Sequence, residues 1–264
     1  MTNKRAGVTG SGRYALRGEG RQIYPDTKEL TSAAARAIVD LAQRALRERG
    51  RFLWVLSGGS TPEPVYHEIA RHHAQAIDWR RVHVFWGDER CVAPDDPRSN
   101  YGNARKLLFD HVPVPLTGIH RIRGEDEPQR AAADYEREIE SVRAGITAGA
   151  LFDLVLLGLG ADGHTASLFP GLRAAHEQRR HVVAEYVPAE RMWRISLTPR
   201  VLSDAREVLF LVAGASKAEI VGRILASAPA TGQDIPAQTI CPEQGHVRWF
   251  LDKAAAARLG IEPA

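Results

Sequence analysis

Short apolar segments alternate along the chain with longer segments of helical periodicity, and this alternation constrains the fold more than any other feature. The branched and aromatic segments predict strands at 22–25, 52–56, 82–86, 119–122, 152–157, 181–187, 193–197, 208–213 and 247–251. The helical patterns fall at 31–49, 62–72, 101–109, 128–142, 216–226 and 253–259. Strands alternating with helices are typical of the α/β class with a mainly parallel sheet. Because no repeat, linker or change of composition interrupts the pattern, we predict a single domain over residues 21–264.

Charge and cysteine content are those expected of a cytoplasmic protein. The chain has 35 basic and 32 acidic side chains, and this formal net charge of +3 is too small an excess to indicate nucleic-acid binding. No apolar run is long enough to span a membrane. The two cysteines, Cys91 and Cys241, cannot form a disulfide framework, which fits a reducing compartment. Residues 1–20 are basic and glycine-rich without the apolar segment of a signal peptide, so we expect a mobile extension there.

The stretch LGLGADGHTASLFP follows the most apolar predicted strand and spaces its glycines as G-x-G-x-x-G, at Gly158, Gly160 and Gly163. This spacing is the dinucleotide-binding fingerprint when it opens a long helix whose N-terminus holds a pyrophosphate. Here Pro170 would end any helix within about two turns. The Asp162 carboxylate would also lie close to the diphosphate. Nucleotide binding is therefore the weaker of two interpretations.

In the other interpretation, the glycines let the backbone turn sharply after the strand. Ligands of open α/β sheets bind at the carboxyl ends of the strands, where Asp162 and His164 would then face the crevice. A histidine titrates near neutrality, so His164 could take a proton from water and pass it on. A histidine that only caps the turn fits the spacing equally well.

The sequence SGGST at 57–61 is a candidate phosphate site between a predicted strand and a helix that opens with Pro62. Small residues let successive backbone N–H groups point into one concavity, and a helix N-terminus adds partial positive charge. No G-K-S/T follows, so the stretch is not a P-loop and does not indicate a nucleoside triphosphate. A plain strand-to-helix turn with a Ser or Thr cap is the alternative.

Charged residues follow two other predicted strands. Asp88 and Arg90 occur in WGDER, directly after a buried strand, where packing explains them poorly and a surface ion-pair cluster is the alternative. Arg90 could bind a phosphate in a bidentate way, and Asp88 could orient a histidine or accept hydrogen bonds from sugar hydroxyls. Lys217 begins a predicted helix and would meet an anion there, although lysines in a first helical turn are usually solvated.

No metal site is predicted. The segment His67-Glu-Ile-Ala-Arg71 is a near miss of the zinc motif H-E-x-x-H, with arginine in place of the second histidine ligand. Cys91 is expected to be a structural thiol. Ser57 and Ser60 lie in no G-x-S-x-G nucleophile elbow, which argues against a serine hydrolase of the α/β-hydrolase type.

Three stretches together resemble the sugar-phosphate family that contains 6-phosphogluconolactonase and glucosamine-6-phosphate deaminase: LSGGSTPEPVY, VHVFWGDERCVAPDDPRSNYGNARKLLF and LVLLGLGADGHTASLFPG. The match runs in order from 22 to 259, and G-D-E-R with D-G-H-T-A-S-L-F-P is typical of the lactonase branch. The resemblance implies an open, three-layer, Rossmann-like α/β sheet with helices on both faces and the site along its carboxyl edge. It also implies hydrolysis of 6-phospho-D-glucono-1,5-lactone to 6-phosphogluconate in the oxidative pentose phosphate route, without a metal or organic cofactor.

The resemblance further implies a role for each candidate residue. His164 would be the general base that activates water, and Asp88 would orient the base or the substrate; whether Asp88 or Asp162 orients His164 stays open. We expect backbone N–H groups of 158–164 to stabilise the carbonyl oxygen as it gains charge. The loop around the base would be supported by Gly160, Asp162 and Gly163. The phosphate would be held by Gly58, Gly59, Ser60, Thr61, Arg90 and Lys217, with Arg194 as a further substrate contact.

Two other functions are alternatives. The deaminases carry a glutamate just before the proline, where this chain has Phe169, and an aromatic residue where it has Arg90. A non-catalytic sugar-phosphate sensor would keep the pocket, but a pure binder has no need of a base such as His164. The expected partner is a small phosphosugar lactone and neither nucleic acid nor a membrane. We expect the chain to be a monomer or a small homo-oligomer.

Overall fold

The computed structural model describes residues 20–225 and 234–259. The expected mobile extension at 1–20 lies outside these ranges except for Gly20, so it stays a prediction. Within the described ranges, no helix combines the length and the apolar character needed to cross a membrane.

Six strands form one parallel sheet in the order β1-β9-β8-β5-β2-β3. Every residue of β2 and β5 is buried, and both strands lie inside the sheet, which is why they are apolar apart from Asp153 in β5. The predicted α/β class with a mainly parallel sheet is confirmed. The strands of the described residues are β1 (Arg21–Tyr24), β2 (Phe52–Leu56), β3 (Val82–Trp86), β4 (Asp88–Arg90), β5 (Phe152–Leu157), β6 (Val182–Val187), β7 (Met192–Leu197), β8 (Ala205–Val212) and β9 (His246–Asp252).

The remaining strands, β4, β7 and β6, form a second and antiparallel sheet in that order. The sequence predicts its two longer strands but assigns 87–100 to a loop, and the structure shows that β4 lies within that segment. Three residues are too few to show an alternating pattern. Gly87 joins the two sheets, because its N–H donates to Leu56 O at 3.0 Å while its carbonyl accepts from Leu197 N at 2.8 Å.

The helices largely follow the prediction. The first is capped at its N-terminus by Asp26, whose side chain accepts from Glu29 N, and at its C-terminus by Gly50, which adopts the left-handed conformation with a φ of 72°. Two others are shorter than predicted because they continue as π-helical turns at Ile69–His73 and Arg105–Phe109. The helices are α1 (Thr27–Arg49), α2 (Glu63–Glu68), α3 (Asn100–Ala104), α4 (Pro128–Ala144), α5 (Pro199–Leu202) and α6 (Ala218–Leu225).

Two predicted elements are wrong, and α1, β8 and α6 begin two to four residues away from the predicted position. The segment 119–122 forms a single bridge from Ile119 to Val84 and no strand, in a stretch whose prolines disfavour a ladder. The segment 253–259 forms turns, because the Asp252 carboxylate takes the N–H of Ala255 and seven residues make a marginal helix. The helix expected at 216–226 begins two residues later, and its residue 226 lies outside the described chain.

Two buried tyrosines anchor the strand ends that lead to the candidate site. The Tyr66 hydroxyl accepts from Ser57 N at 3.0 Å and donates to Ser57 O at 2.6 Å, just after β2. The Tyr135 hydroxyl makes the same pair of contacts with Trp86, at 3.0 and 3.1 Å, at the end of β3. Burial raises the pKa of both phenols, so each stays protonated and able to donate.

We predict that Tyr66→Phe lowers the free energy of unfolding by about 1–3 kcal/mol, because it leaves the buried Ser57 N–H and carbonyl without partners. Urea denaturation measures the loss. Tyr135→Phe is the matched variant, since it removes the same pair of contacts from Trp86, and it should cost a similar amount. A Tyr66→Phe protein as stable as the wild type would show that the hydroxyl does not anchor this strand end.

Candidate active site

The carboxyl ends of four parallel strands bring the candidate residues to one edge of the sheet. Parallel pairing points all these strands in the same direction, and ligands of such sheets bind beyond the carboxyl ends. The segments that follow these ends are 57–61 after β2, 88–90 after β3, 158–170 after β5 and 214–217 after β8.

The first three of these segments lie next to one another. The Ser167 hydroxyl donates to Asp88 Oδ2 at 2.6 Å and so ties the segment after β5 to β4. A methyl group on Gly158 would lie 3.9 Å from Ser57 Oγ, which places the segments after β5 and β2 side by side. Parts of three predicted motifs therefore meet at this edge.

His164 forms a hydrogen-bonded pair with Asp162. Its Nδ1 lies 2.6 Å from Asp162 Oδ1, and the same oxygen accepts the His164 backbone N–H at 3.1 Å. A carboxylate can only accept, so in the neutral imidazole Nδ1 carries the proton and Nε2 keeps its lone pair. The side chain is 30% exposed, so solvent reaches it. Asp162, and not Asp88, is the carboxylate that contacts this imidazole.

The glycines of this segment are required by the histidine and not by a nucleotide. A Cβ on Gly160 would lie 2.1 Å from His164 Nδ1 and 2.5 Å from Asp162 Oδ1. Gly163 has a φ of +90°, which disfavours any side chain there. No helix follows before the short 3₁₀ turn Arg173–His176, so the helix that would hold a pyrophosphate is missing from this part of the described chain. The dinucleotide interpretation is not supported.

The loop uses several of its own N–H groups. Gly160 N donates to His164 O at 2.8 Å, Gly163 N donates to Gly160 O at 3.0 Å, and His164 N is bound to Asp162. These three groups are therefore not free to stabilise a developing oxyanion. The Phe169 ring packs against the imidazole at a centroid distance of 4.2 Å and limits its rotation.

Asp88 is buried in a shell of donors. The residue is 5% exposed. Its Oδ2 accepts from Ser167 Oγ and from Arg194 Nη1, the latter at 3.3 Å, and its Oδ1 accepts from Asn100 Nδ2 at 3.2 Å. These three donors fix the position of the carboxylate.

Arg194 is paired with two acidic residues. It is 7% exposed, and its guanidinium forms ion pairs with Asp88 and with Glu190. Its Nε is buried without a hydrogen-bond partner among the described residues. The guanidinium is ion-paired with Asp88, and the direct substrate contact that the sequence suggested stays a prediction.

Glu89 is the third charged residue of the GDER stretch, and it has a structural role. Its carboxylate accepts from the backbone N–H groups of Asn100 and Tyr101, both at 2.8 Å, and from Ser99 Oγ at 3.1 Å, so it caps α3. Burial raises the pKa of Glu89, and the backbone hydrogen bonds oppose that shift. Burial likewise raises the pKa of the Cys91 thiol to about 11, which agrees with a structural thiol.

The segment 57–61 has the properties of an anion cradle. Across the described chain, the N–H groups of Gly58, Gly59, Ser60 and Thr61 find no hydrogen-bond acceptor. Ser60 is exposed, and Gly59 adopts a φ of +105° with open space around it. Four successive free donors in a turn favour an anion.

Two cations lie in segments that follow strands ending at this edge. Arg90 Nη1 donates to Arg98 O at 2.6 Å, while its Nε is buried and without a partner in the described ranges. Lys217 ends the 3₁₀ turn that precedes α6, and its ammonium forms no hydrogen bond or ion pair with any residue that the structure describes. No hydrogen bond joins either cation to His164 or to the cradle in that part of the chain.

One cluster outside this site has the composition of a metal site. Ligand atoms of Glu136, Glu140 and His181 lie within 4.8 Å of one another. Arg180 already pairs with Glu136, with its Nε 2.7 Å from Oε2, and the His181 N–H occupies the other carboxylate oxygen at 2.6 Å. This donor set does not favour a cation, and the expected lack of a metal stays a prediction.

Comparison with known proteins settles the family. A family model described as glucosamine-6-phosphate isomerases/6-phosphogluconolactonase matches residues 25–249. The chain belongs to this family. The family resemblance that the sequence shows is therefore confirmed.

Two relatives named 6-phosphogluconolactonase illustrate the match. The protein of Aggregatibacter actinomycetemcomitans is 43% identical over 205 residues, which cover 77% of this chain and 86% of the relative. The protein of Mycobacterium tuberculosis is 36% identical over 244 residues, which cover 90% of this chain and 97% of the relative.

Solved structures give the same result. 6-Phosphogluconolactonase from Trypanosoma brucei superposes with a TM-score of 0.80 at 28% identity, covering 92% of this chain and all (100%) of that one. A monomeric glucosamine-6-phosphate deaminase superposes with a TM-score of 0.74 at 23% identity, covering 90% of this chain and 99% of that one. At that identity the deaminase shows a shared fold and nothing further.

Sequence reasoning missed two polar residues of the site, Ser167 and Asn100. Both lie inside stretches that carry the family resemblance, D-G-H-T-A-S and R-S-N-Y-G. Both are at most 3% exposed and hydrogen-bonded to Asp88. The sequence offers only a weak signal for them, namely that each is a polar residue within a stretch that resembles the family.

We predict that Gly160→Ala displaces the His164 imidazole and breaks its bond to Asp162, since the new methyl group would overlap both side chains. The low-field Nδ1–H resonance of His164 should disappear from the NMR spectrum, and the overpacking should cost about 1–3 kcal/mol of stability. Gly145→Ala is the control, because its φ is −81° and its nearest neighbour would lie at 3.4 Å. An unchanged resonance in Gly160→Ala would contradict the described geometry.

Proposed function

We propose that this protein hydrolyses 6-phospho-D-glucono-1,5-lactone to 6-phospho-D-gluconate, a step of the oxidative pentose phosphate pathway. The observation that carries the proposal is the imidazole of His164, which Asp162 holds by Nδ1 so that Nε2 is free to accept a proton. The names of the relatives point to the same reaction. The free N–H groups of 58–61 at the same sheet edge suit a substrate that carries a phosphate.

In the proposed reaction, His164 acts as the general base. Nε2 takes a proton from water as the water oxygen attacks the lactone carbonyl, and the carbonyl oxygen becomes an oxyanion. The C–O bond of the ring then breaks, and the imidazolium returns its proton to the departing ring oxygen, which becomes a hydroxyl. Asp162 stabilises the transient imidazolium, and proton transfer of this kind contributes about 10²–10⁴ in rate. A lactone is an activated ester, so no covalent nucleophile is needed.

The phosphate would anchor the substrate away from the reacting carbonyl. The N–H groups of Gly58, Gly59, Ser60 and Thr61 would donate to its oxygens, and Arg90 and Lys217 would supply charge. Fixing one end of the sugar holds the lactone carbonyl near Nε2. The substrate and the base then no longer have to meet by diffusion, which lowers the entropic cost of the reaction.

Asp88 would accept hydrogen bonds from the sugar hydroxyls, because Asp162 already orients the base. In this assignment Arg194 supports Asp88, to which it is ion-paired. Gly160 and Gly163 keep the space and the turn that the imidazole requires.

The deaminase alternative receives no support from the site. An amino-sugar isomerisation needs an additional acid–base group close to the histidine. Here the neighbour is Phe169, a hydrocarbon ring packed on the imidazole and 8% exposed. We also propose that the protein acts in the cytoplasm, as a monomer or small homo-oligomer and without nucleic acid; its two cysteines are free, as a reducing compartment would leave them.

The direct test is the rate of hydrolysis of freshly prepared 6-phosphogluconolactone with and without the protein, after subtraction of the spontaneous rate. We expect a large enzyme-dependent rate without added metal or cofactor. A rate equal to the background would refute the proposal. Ammonia release from glucosamine 6-phosphate, measured in parallel, separates the deaminase from a sensor that turns over neither compound.

We predict that His164→Ala lowers kcat by about 10²–10⁴ and leaves the binding of 6-phosphogluconate largely unchanged, because the base acts on water and not on the phosphate. Steady-state kinetics and product titration measure the two effects. His72→Ala is the matched control, since His72 also faces a carboxylate, Glu68 at 3.9 Å, on an exposed helix surface. Wild-type turnover by His164→Ala would show that His164 is not the general base.

We predict that Arg90→Ala and Lys217→Ala each raise KM by about ten- to a hundredfold with a smaller change in kcat, as expected for lost charge-assisted bonds to a ground-state phosphate. Lys106→Ala, on the exposed surface of the π-helical turn that follows α3, should change neither constant. A fall confined to kcat would instead place the two cations at the transition state.

A further inference from the structure

The side chain of Asn100 is fixed from two directions. Asn100 is the first residue of α3 and is 3% exposed. Its backbone N–H donates to Glu89 Oε1 at 2.8 Å, so β4 holds the residue in place. Its side-chain Nδ2 donates to Asp88 O at 2.8 Å and to Asp88 Oδ1 at 3.2 Å. One amide group thus fixes the positions of both the backbone carbonyl and the carboxylate of Asp88.

The other end of this amide touches the segment after β2. A Cβ on Gly58 would lie 1.7 Å from Asn100 Oδ1 and 2.4 Å from Cγ, so the amide fills the space that a side chain at position 58 would need. The amide cannot be turned round, because Asp88 presents only acceptors and would repel Oδ1. Asn100 therefore separates Asp88 from the cradle by the thickness of one amide group.

This placement leaves the acceptor atom of the amide without a hydrogen bond. Asn100 Oδ1 is buried and has no hydrogen-bond partner among residues 20–225 and 234–259. A buried acceptor without a partner is destabilising, so stability alone does not account for an amide here. The Nδ2 group explains why an amide occurs at this position, since no apolar side chain could donate a hydrogen bond to the Asp88 carboxylate.

We propose that Asn100 is a positioning residue that holds the Asp88 carboxylate at a fixed distance from the Gly58–Thr61 cradle, and that its presence makes glycine obligatory at position 58. The proposal rests on the proposed function, in which Asp88 binds sugar hydroxyls and the cradle binds the phosphate. A phosphosugar must reach both at once. The spacing between them then selects a substrate whose phosphate and hydroxyls are separated by the same distance.

Asn100→Leu tests the proposal, because it keeps the approximate volume and removes both hydrogen bonds to Asp88. We expect kcat/KM for the lactone to fall by about ten- to a hundredfold, as for a lost bond to a charged group. Asn103→Leu is the matched control, the same substitution in the same helix at a residue that bonds Pro97 O and Glu63. Wild-type kcat/KM in a folded Asn100→Leu protein would overturn the proposal.

Asn100→Asp supplies a readout that a merely structural role would not move. At neutral pH its carboxylate would face the Asp88 carboxylate, with Arg194 as the neighbouring cation on Asp88 and Glu89 on the backbone side. Two carboxylates in contact share a proton as the pH falls, and the protonated oxygen then donates as the amide did. We expect the activity of Asn100→Asp relative to the wild type to rise as the pH is lowered. A ratio that does not change with pH would overturn the proposal.

A double-mutant cycle tests the link to Gly58. Gly58→Ala should be strongly impaired, and Asn100→Ser should relieve part of that loss by vacating the space, so the two effects should not add. Additive losses would overturn the claim about glycine. Wild-type protein assayed alongside separates the two levels: no hydrolysis by the wild type refutes the proposed function and this inference with it, whereas an active wild type with unaffected Asn100 variants refutes the inference alone.

Discussion

The parallel hydrogen-bonded register of β2, β3, β5 and β8 is the constraint on which the site depends. Each strand is mostly apolar because the sheet buries it, and each ends at the same edge because its neighbours run in the same direction. The polar segments that follow these strands therefore lie together at that edge. The hydroxyls of Tyr66 and Tyr135 stop two of the strand ends from fraying, so the segments leave the sheet at fixed points.

Beyond the edge, buried charge organises the site. The Asp88 carboxylate draws together a hydroxyl from the segment after β5, a guanidinium from β7 and an amide from α3. Removing a single donor would leave a buried charge partly unpaired, which is costly. His164 is more exposed and has one carboxylate partner, Asp162. A proton-transfer group must exchange protons with water, whereas a group that positions others benefits from burial.

The strands and the main candidate segments could be predicted from sequence because they depend on local patterns: the apolar run of β5, and glycines before a histidine. The roles of Glu89 and Arg194 could not. Glu89 caps a helix that begins eleven residues later, and Arg194 pairs with a residue 106 positions away. Such contacts follow from how the two sheets meet at Gly87, which no local pattern records. The three-residue β4 was missed for the same reason, since it exists only through its pairing with β7.

The central claim is that a remote phosphate holds the lactone carbonyl against the His164–Asp162 pair. The most direct measurement compares kcat/KM for 6-phosphogluconolactone with kcat/KM for glucono-1,5-lactone, which lacks the phosphate, in the wild type and in His164→Ala. The account predicts that the wild type prefers the phosphorylated lactone by about a hundredfold or more, and that His164→Ala loses turnover of both. Equal kcat/KM for the two lactones in the wild type would contradict it.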